Sequence, residues 1–83
     1  MVIEGLHNRL VKIQGQVGGI EKMVDKGASA EAILVQVNAI KSAIHKVGEL
    51  ILIEDVKERL AESGASEESI EQAVTDIKRF SAL

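Results

Sequence analysis

Three side chains suited to phosphate contacts lie close together near the start of the chain. Arg9, Lys12 and Gln16 are spaced i, i+3 and i+7, so they share one face if the segment is helical. Arg and Lys pair with phosphate oxygens, and a Gln amide donates hydrogen bonds to a nucleic-acid backbone or base edge. No Asp or Glu occurs between Glu4 and Glu21. The pattern indicates a surface that meets a polyanion, or a helix that packs its glycines closely against a partner.

A second stretch without acidic residues lies between Glu31 and Glu49. It contains Lys41, for which a phosphate contact and an ordinary solvated helix face are both open interpretations. It also contains His45, spaced i, i+4 from Glu49. Two such ligands fall short of the three or four protein ligands that metal centres usually use, so we interpret His45 as a surface or interface histidine.

Residues able to support catalysis or bind a cofactor are few. The chain has no Cys, which excludes disulfides, thiolate metal sites and redox-active thiols. Glu54, Glu58 and Glu62 repeat at i, i+4 and i+8, but a hard cation needs oxygens from several directions, so a solvated face is the better interpretation. No glycine-rich loop follows a strand pattern. We expect no enzymatic activity, no metal and no cofactor.

The elements that must position these side chains are helices. Proline is absent and period-2 alternation is almost absent, which predicts an all-α fold with helices over residues 3–26, 30–62 and 66–81. Gly27 is expected to end the first helix, while Ser29 and Ser66 are expected to cap the second and third. Apolar residues in the first helix follow a 3-4 spacing that predicts one continuous stripe. They are Ile3, Leu6, Leu10, Ile13, Val17, Ile20 and Val24.

Composition indicates a single small domain, residues 1–83, that completes its core in a homo-oligomer. The chain is 46% apolar but has one aromatic residue, and a mainly aliphatic chain of 83 residues buries only a thin core alone. The run Leu50–Ile53 is apolar all round, as expected at the centre of an oligomer. The net charge of −3 comes from residues 61–83. No signal peptide or membrane span is found, so we expect a soluble, cytoplasmic protein.

Glycines inside the first predicted helix need an explanation, because each costs about 1 kcal/mol relative to Ala. Close approach of DNA or of another helix backbone would explain them, and so would ordinary packing between helices. We favour packing for Gly19 and leave Gly15 and Gly18 open.

The segments RLVKIQGQVGGI (9–20) and ILVQVNAIKSAI (33–44) resemble the CsoR/RcnR/FrmR family of small bacterial transcriptional repressors. Members of that family sense copper, nickel or cobalt, formaldehyde or sulfur species. The resemblance implies an antiparallel helical dimer and usually a dimer-of-dimers tetramer. It also implies binding to an operator in double-stranded DNA without a helix-turn-helix, through basic residues of the first two helices. The positions that this assigns to DNA are Arg9, Lys12, Gln16 and Lys41.

The chain departs from the family at the positions that hold sensing ligands. The sensing Cys that opens the second helix is replaced by Ala30, and the His-x-x-x-Cys of the copper sensors is replaced by Asp55 and Arg59. Copper(I) needs soft thiolate or imidazole donors. Asp55 and Arg59 are spaced i, i+4, which predicts an ion pair at the vacant site, although two solvated charges are equally open.

The sequence therefore predicts a DNA-binding repressor that lacks the usual thiol or imidazole sensing site. Two other functions stay open. The chain could sense a metal or small molecule through oxygen and nitrogen donors, or it could be a helical oligomeric interaction module that does not bind DNA.

Overall fold

A computed structural model describes residues 1–82 and shows three α-helices. They are α1 (Leu6–Asp25), α2 (Ala30–Glu62) and α3 (Glu67–Ser81). No strand occurs within the described residues, so the predicted all-α fold of three helices is confirmed. The observed bounds match the predicted ones to within one residue, except at the start of α1.

The first helix begins three residues later than predicted because Gly5 adopts a left-handed conformation. Its φ of 79° is incompatible with a right-handed helix, and it stands at the N-cap position without a capping side-chain hydrogen bond. Ile3, which the 3-4 spacing placed in the helix, therefore precedes it. The spacing of apolar residues does not predict such a turn.

The other helix ends follow the predicted signals. Gly27 follows α1 with a φ of 71°, and its N–H donates to the Val24 carbonyl at 3.1 Å. The Ser29 hydroxyl accepts a hydrogen bond from the Ala32 N–H at 3.1 Å. Ser66 caps α3 in the same way, accepting from the Ser69 N–H at 3.1 Å. Each cap satisfies a backbone donor that the first turn of a helix leaves unpaired.

Internal contacts divide the chain into two compact units. One unit comprises residues 4–47, with α1 and the first half of α2; the other comprises residues 1–3 and the chain from Gly48 onward. Within residues 1–82, no helix combines the length and hydrophobicity required to span a bilayer.

The unit of residues 4–47 has a small aliphatic core between α1 and α2. Ile13, Ile40 and Val47 are buried, and three further residues pack against them, namely Leu6, Ile20 and Ala43. The α1 members are spaced seven residues apart, so they form one row along the helix. Only every second position of the predicted apolar stripe therefore faces the core.

The remaining stripe positions of α1, Leu10, Val17 and Val24, are exposed, and so are Val37 and Ile44 on α2. We call these five residues the exposed heptad row. These side chains are between 41% and 57% exposed. The stripe thus splits into a row that closes the hairpin and a row that the chain leaves uncovered.

Fewer hydrophobic side chains are buried in the second unit than in the unit of residues 4–47. Ile53 is 4% exposed, whereas its neighbours Ile51 and Leu52 in the apolar run are 41% and 49% exposed. On α3, Ser66 and an acidic first turn precede an apolar face. Four members of that face are partly buried, namely Ile70, Ala73, Val74 and Ile77. Phe80 follows Ile77 by three residues but is 78% exposed.

Candidate nucleic-acid interface

Arg9, Lys12 and Gln16 all lie on α1, in the unit of residues 4–47. Arg9 precedes the buried Ile13 by four residues and Gln16 follows it by three, so both flank the buried row on the same side. Arg9 and Lys12 are exposed, and Gln16 is partly buried. The helix therefore presents two solvent-facing cations, with an amide held closer to the hairpin core.

Lys41 occupies a different setting on α2. It directly follows the buried Ile40, and it lies four residues after Val37 and three before Ile44. Lys41 therefore lies on the side of α2 that carries the exposed heptad row. On α1, by contrast, Arg9 and Leu10 are consecutive, so Arg9 points about 100° away from that row.

The three candidate cations have no acidic partner within the described residues. Within residues 1–82, neither Arg9, Lys12 nor Lys41 takes part in an ion pair or a side-chain hydrogen bond. An exposed cation without a carboxylate keeps its full attraction for an external anion, because no internal ion pair competes with it.

Charge is distributed unequally between the two units. Residues 4–47 hold six Lys or Arg and four Asp or Glu, a formal charge of +2. The rest of the chain holds four Lys or Arg and nine Asp or Glu, a formal charge of −5. The negative net charge of the protein therefore does not describe the hairpin that carries the candidate interface.

The glycines of α1 are not explained by packing within the chain. A Cβ built at Gly15, Gly18 or Gly19 meets no atom of the described residues within 4 Å. The expectation that Gly19 serves helix packing is thus not met inside one protomer. The space over these glycines is therefore open to another molecule.

The second candidate set, at the positions that the family resemblance assigns to sensing ligands, contains an ion pair. The Arg59 Nε donates to the Asp55 Oδ2 at 2.9 Å, which confirms the predicted i, i+4 pair. The two side chains are 77% and 38% exposed, so the pair contributes no more than about 1 kcal/mol. Ala30 belongs to the other unit, where it opens α2 with an exposed methyl side chain.

No cluster of three or more His, Cys, Asp or Glu side chains that could hold a metal ion occurs within residues 1–82. His45 and Glu49, the i, i+4 pair considered from the sequence, each have an interaction partner.

The sequence is similar to those of known proteins. Residues 3–79 match the family model of the metal-sensitive transcriptional repressors. The chain is 36% identical over 77 residues to the copper-sensing transcriptional repressor CsoR of Bacillus subtilis (strain 168), covering 88% of this chain and 75% of that protein. It is 29% identical over 76 residues to an uncharacterized protein from the bioA 5′ region of Serratia marcescens, covering 87% of this chain and 84% of that protein.

No solved structure matches the chain significantly. The family match nevertheless spans nearly the whole chain and includes both compact units. The chain therefore belongs to the family of metal-sensitive transcriptional repressors.

Proposed function

We propose that this protein is a DNA-binding transcriptional repressor that binds its operator through the cations of the α1–α2 hairpin. The observation that carries the proposal is the set of exposed cations without ion pairs on a unit of charge +2, in a chain that belongs to a repressor family. Arg9, Lys12 and Lys41 would neutralise phosphates, and Gln16 would contact a base edge or the backbone.

Oligomerisation is the second part of the proposal. The exposed heptad row runs along both helices of the hairpin, and an apolar row that repeats every seven residues is typical of helices that pack against further helices. A second copy of the chain would cover it with an identical row, as expected for a two-fold symmetric dimer, and two dimers would form the tetramer.

Such an assembly explains how Lys41 would act together with Arg9. In one protomer, Lys41 lies beside the exposed heptad row of α2 and Arg9 points away from that row on α1. Pairing of two hairpins would bring Lys41 of one copy to the edge of the interface and add a second set of α1 cations to the same duplex. The number of neutralised phosphates, and with it the affinity, rises with each copy.

We further propose that copper does not control this repressor. The side chains at positions 30, 55 and 59 are a methyl group, a carboxylate and a guanidinium, and none of them is a soft donor of the kind that selects copper(I). The ion pair between Asp55 and Arg59 would fill the position where a metal is bound in copper sensors. Repression would then persist when copper is added.

Fluorescence anisotropy with the DNA upstream of the protein's own gene tests these statements together. The expected result is binding at physiological salt that copper(I) leaves unchanged. Release by zinc or nickel would instead support a sensor with oxygen and nitrogen donors. Absence of binding to any duplex would overturn the repressor proposal and leave an oligomeric interaction module.

A further inference from the structure

We propose that Lys22 and Lys26 are additional phosphate contacts, forming with Lys12 a lysine stripe along the outer side of α1. This inference rests on the proposed function and extends it, since it identifies which face of α1 lies along the duplex. Both lysines also lie at the C-terminal end of α1, where a positive charge suits the helix dipole.

Helical register places these residues on one line. Six positions follow one another at spacings of 4, 3, 4, 3 and 4 residues, which keeps them on a single face of an α-helix. They are Asn8, Lys12, Gly15, Gly19, Lys22 and Lys26. All six are exposed, and none is acidic. Lys26 is the C-cap of α1, so the stripe runs the length of the helix.

The lysines of the stripe are available to an external anion. Within the described chain, Lys22 and Lys26 take part in no ion pair. Asp25 is the nearest acid in register, three residues after Lys22, and forms no salt bridge with it. Lys57 on α2 contrasts with them, because its Nζ lies 3.5 Å from the Glu54 Oε1.

The spacing along the stripe matches the dimensions of duplex DNA. Lys12 and Lys22 are ten residues apart, or about 15 Å along the helix axis. The major groove is about 12 Å wide, so flexible lysine side chains at the two ends of this gap reach the two phosphate backbones that border one groove. Gly15 and Gly19 lie between them and present no side chain, which lets the middle of α1 approach the groove closely.

The experiment is a salt titration of duplex binding by the full-length protein with Lys22→Gln, Lys26→Gln and the double substitution. The matched control is Lys57→Gln, an exposed lysine of the other unit. Each stripe substitution is expected to reduce the steepness of log K against log salt by about 0.9 per bound copy, and the double substitution by about twice that. Lys57→Gln is expected to leave the slope unchanged.

Thermal unfolding of the same variants separates this role from stabilisation of the helix end. If Lys22 and Lys26 act only on the helix dipole, their loss lowers the melting temperature and leaves the salt slope at the wild-type value, and that result overturns the inference. Failure of the proposed function is distinguishable, because the wild-type protein would then show no salt-dependent duplex binding at all.

Discussion

At the scale of single residues, the candidate DNA-binding cations differ in their contacts from two cations of the other unit. Arg9, Lys12 and Lys41 have no ion-pair partner within residues 1–82, whereas Lys57 and Arg59 each pair with a carboxylate on the same helix. Ion pairs within a helix reduce the attraction of a cation for external phosphate. We therefore assign the proposed DNA contacts to the hairpin, although most charges of the chain lie elsewhere.

Substitution of Arg9 by Ala tests the phosphate role at one residue. Loss of one phosphate contact weakens binding uniformly across duplex sequences and reduces the salt slope by about 1 per bound copy. Anisotropy titrations on two unrelated duplexes measure this, with Lys57→Gln as the control. Because Arg9 lies off the exposed heptad row, sedimentation should show an unchanged oligomer. Unchanged affinity would contradict the assignment.

Restoring soft ligands tests whether positions 30, 55 and 59 are a vacated sensing site. The triple variant Ala30→Cys, Asp55→His, Arg59→Cys supplies two thiolates and an imidazole, which favour copper(I). We expect it to bind copper(I) with about one ion per chain, measured by competition with a chromophoric chelator, while the wild-type chain competes weakly. A triple variant that binds no better than wild type would show that these positions do not converge in the assembly.

At the scale of the helices, most boundaries follow from side-chain chemistry that the sequence displays. Ser29 and Ser66 cap their helices as predicted, and Gly27 ends α1. The start of α1 was predicted wrongly because Gly5 adopts a conformation that the apolar spacing does not encode. The same spacing did not separate the core row from the exposed heptad row, since both carry Leu, Ile and Val.

The candidate site was predictable only in part, for a related reason. The spacing of Arg9, Lys12 and Gln16 defines one helical face, and the structure shows that face exposed or partly buried. Lys41 could not be related to it from sequence, because its direction depends on which residues of α2 close the hairpin. Ile40 and Val47 do so, which sets Lys41 beside the exposed heptad row.

Replacement of Gly19 by Ala tests whether a surface outside the chain occupies the space over α1. No described atom lies within 4 Å of the added Cβ, so gain in helix propensity should stabilise the protein by about 0.5–1 kcal/mol. Chemical denaturation measures the change, and Ser42→Ala on the exposed part of α2 serves as a comparison. Destabilisation would instead show that a partner protomer packs closely on Gly19.

At the scale of the whole molecule, the single chain has a thin core and an unequal distribution of charge. Within residues 1–82, only four hydrophobic residues are buried, namely Ile13, Ile40, Val47 and Ile53, and one side of the hairpin leaves an apolar row uncovered. Covering that row with a second copy would complete a core that a chain of this size lacks. It would also bring together two hairpins of charge +2, and these basic hairpins would face the duplex.

Substitution of Val17 by Glu tests the proposed interface between copies. A carboxylate in the centre of an apolar contact, repeated in both copies of a symmetric dimer, costs several kcal/mol and should shift the protein toward monomer at micromolar concentration. Sedimentation equilibrium measures this. Val11→Glu is the control, because Val11 is 50% exposed on the same helix but lies off the exposed heptad row. Equal effects of the two substitutions would count against the row as the interface.

We propose to measure the affinity of the wild-type protein for its own upstream DNA between about 50 and 200 mM salt, with and without copper(I), to test whether the cations of the α1–α2 hairpin bind a duplex. For six or more phosphate contacts in an oligomer, affinity should fall by roughly a thousandfold or more over this range. Copper(I) should leave the curve in place. A salt-independent affinity, or no binding to any duplex at low salt, would show that the hairpin cations do not bind DNA through its phosphates.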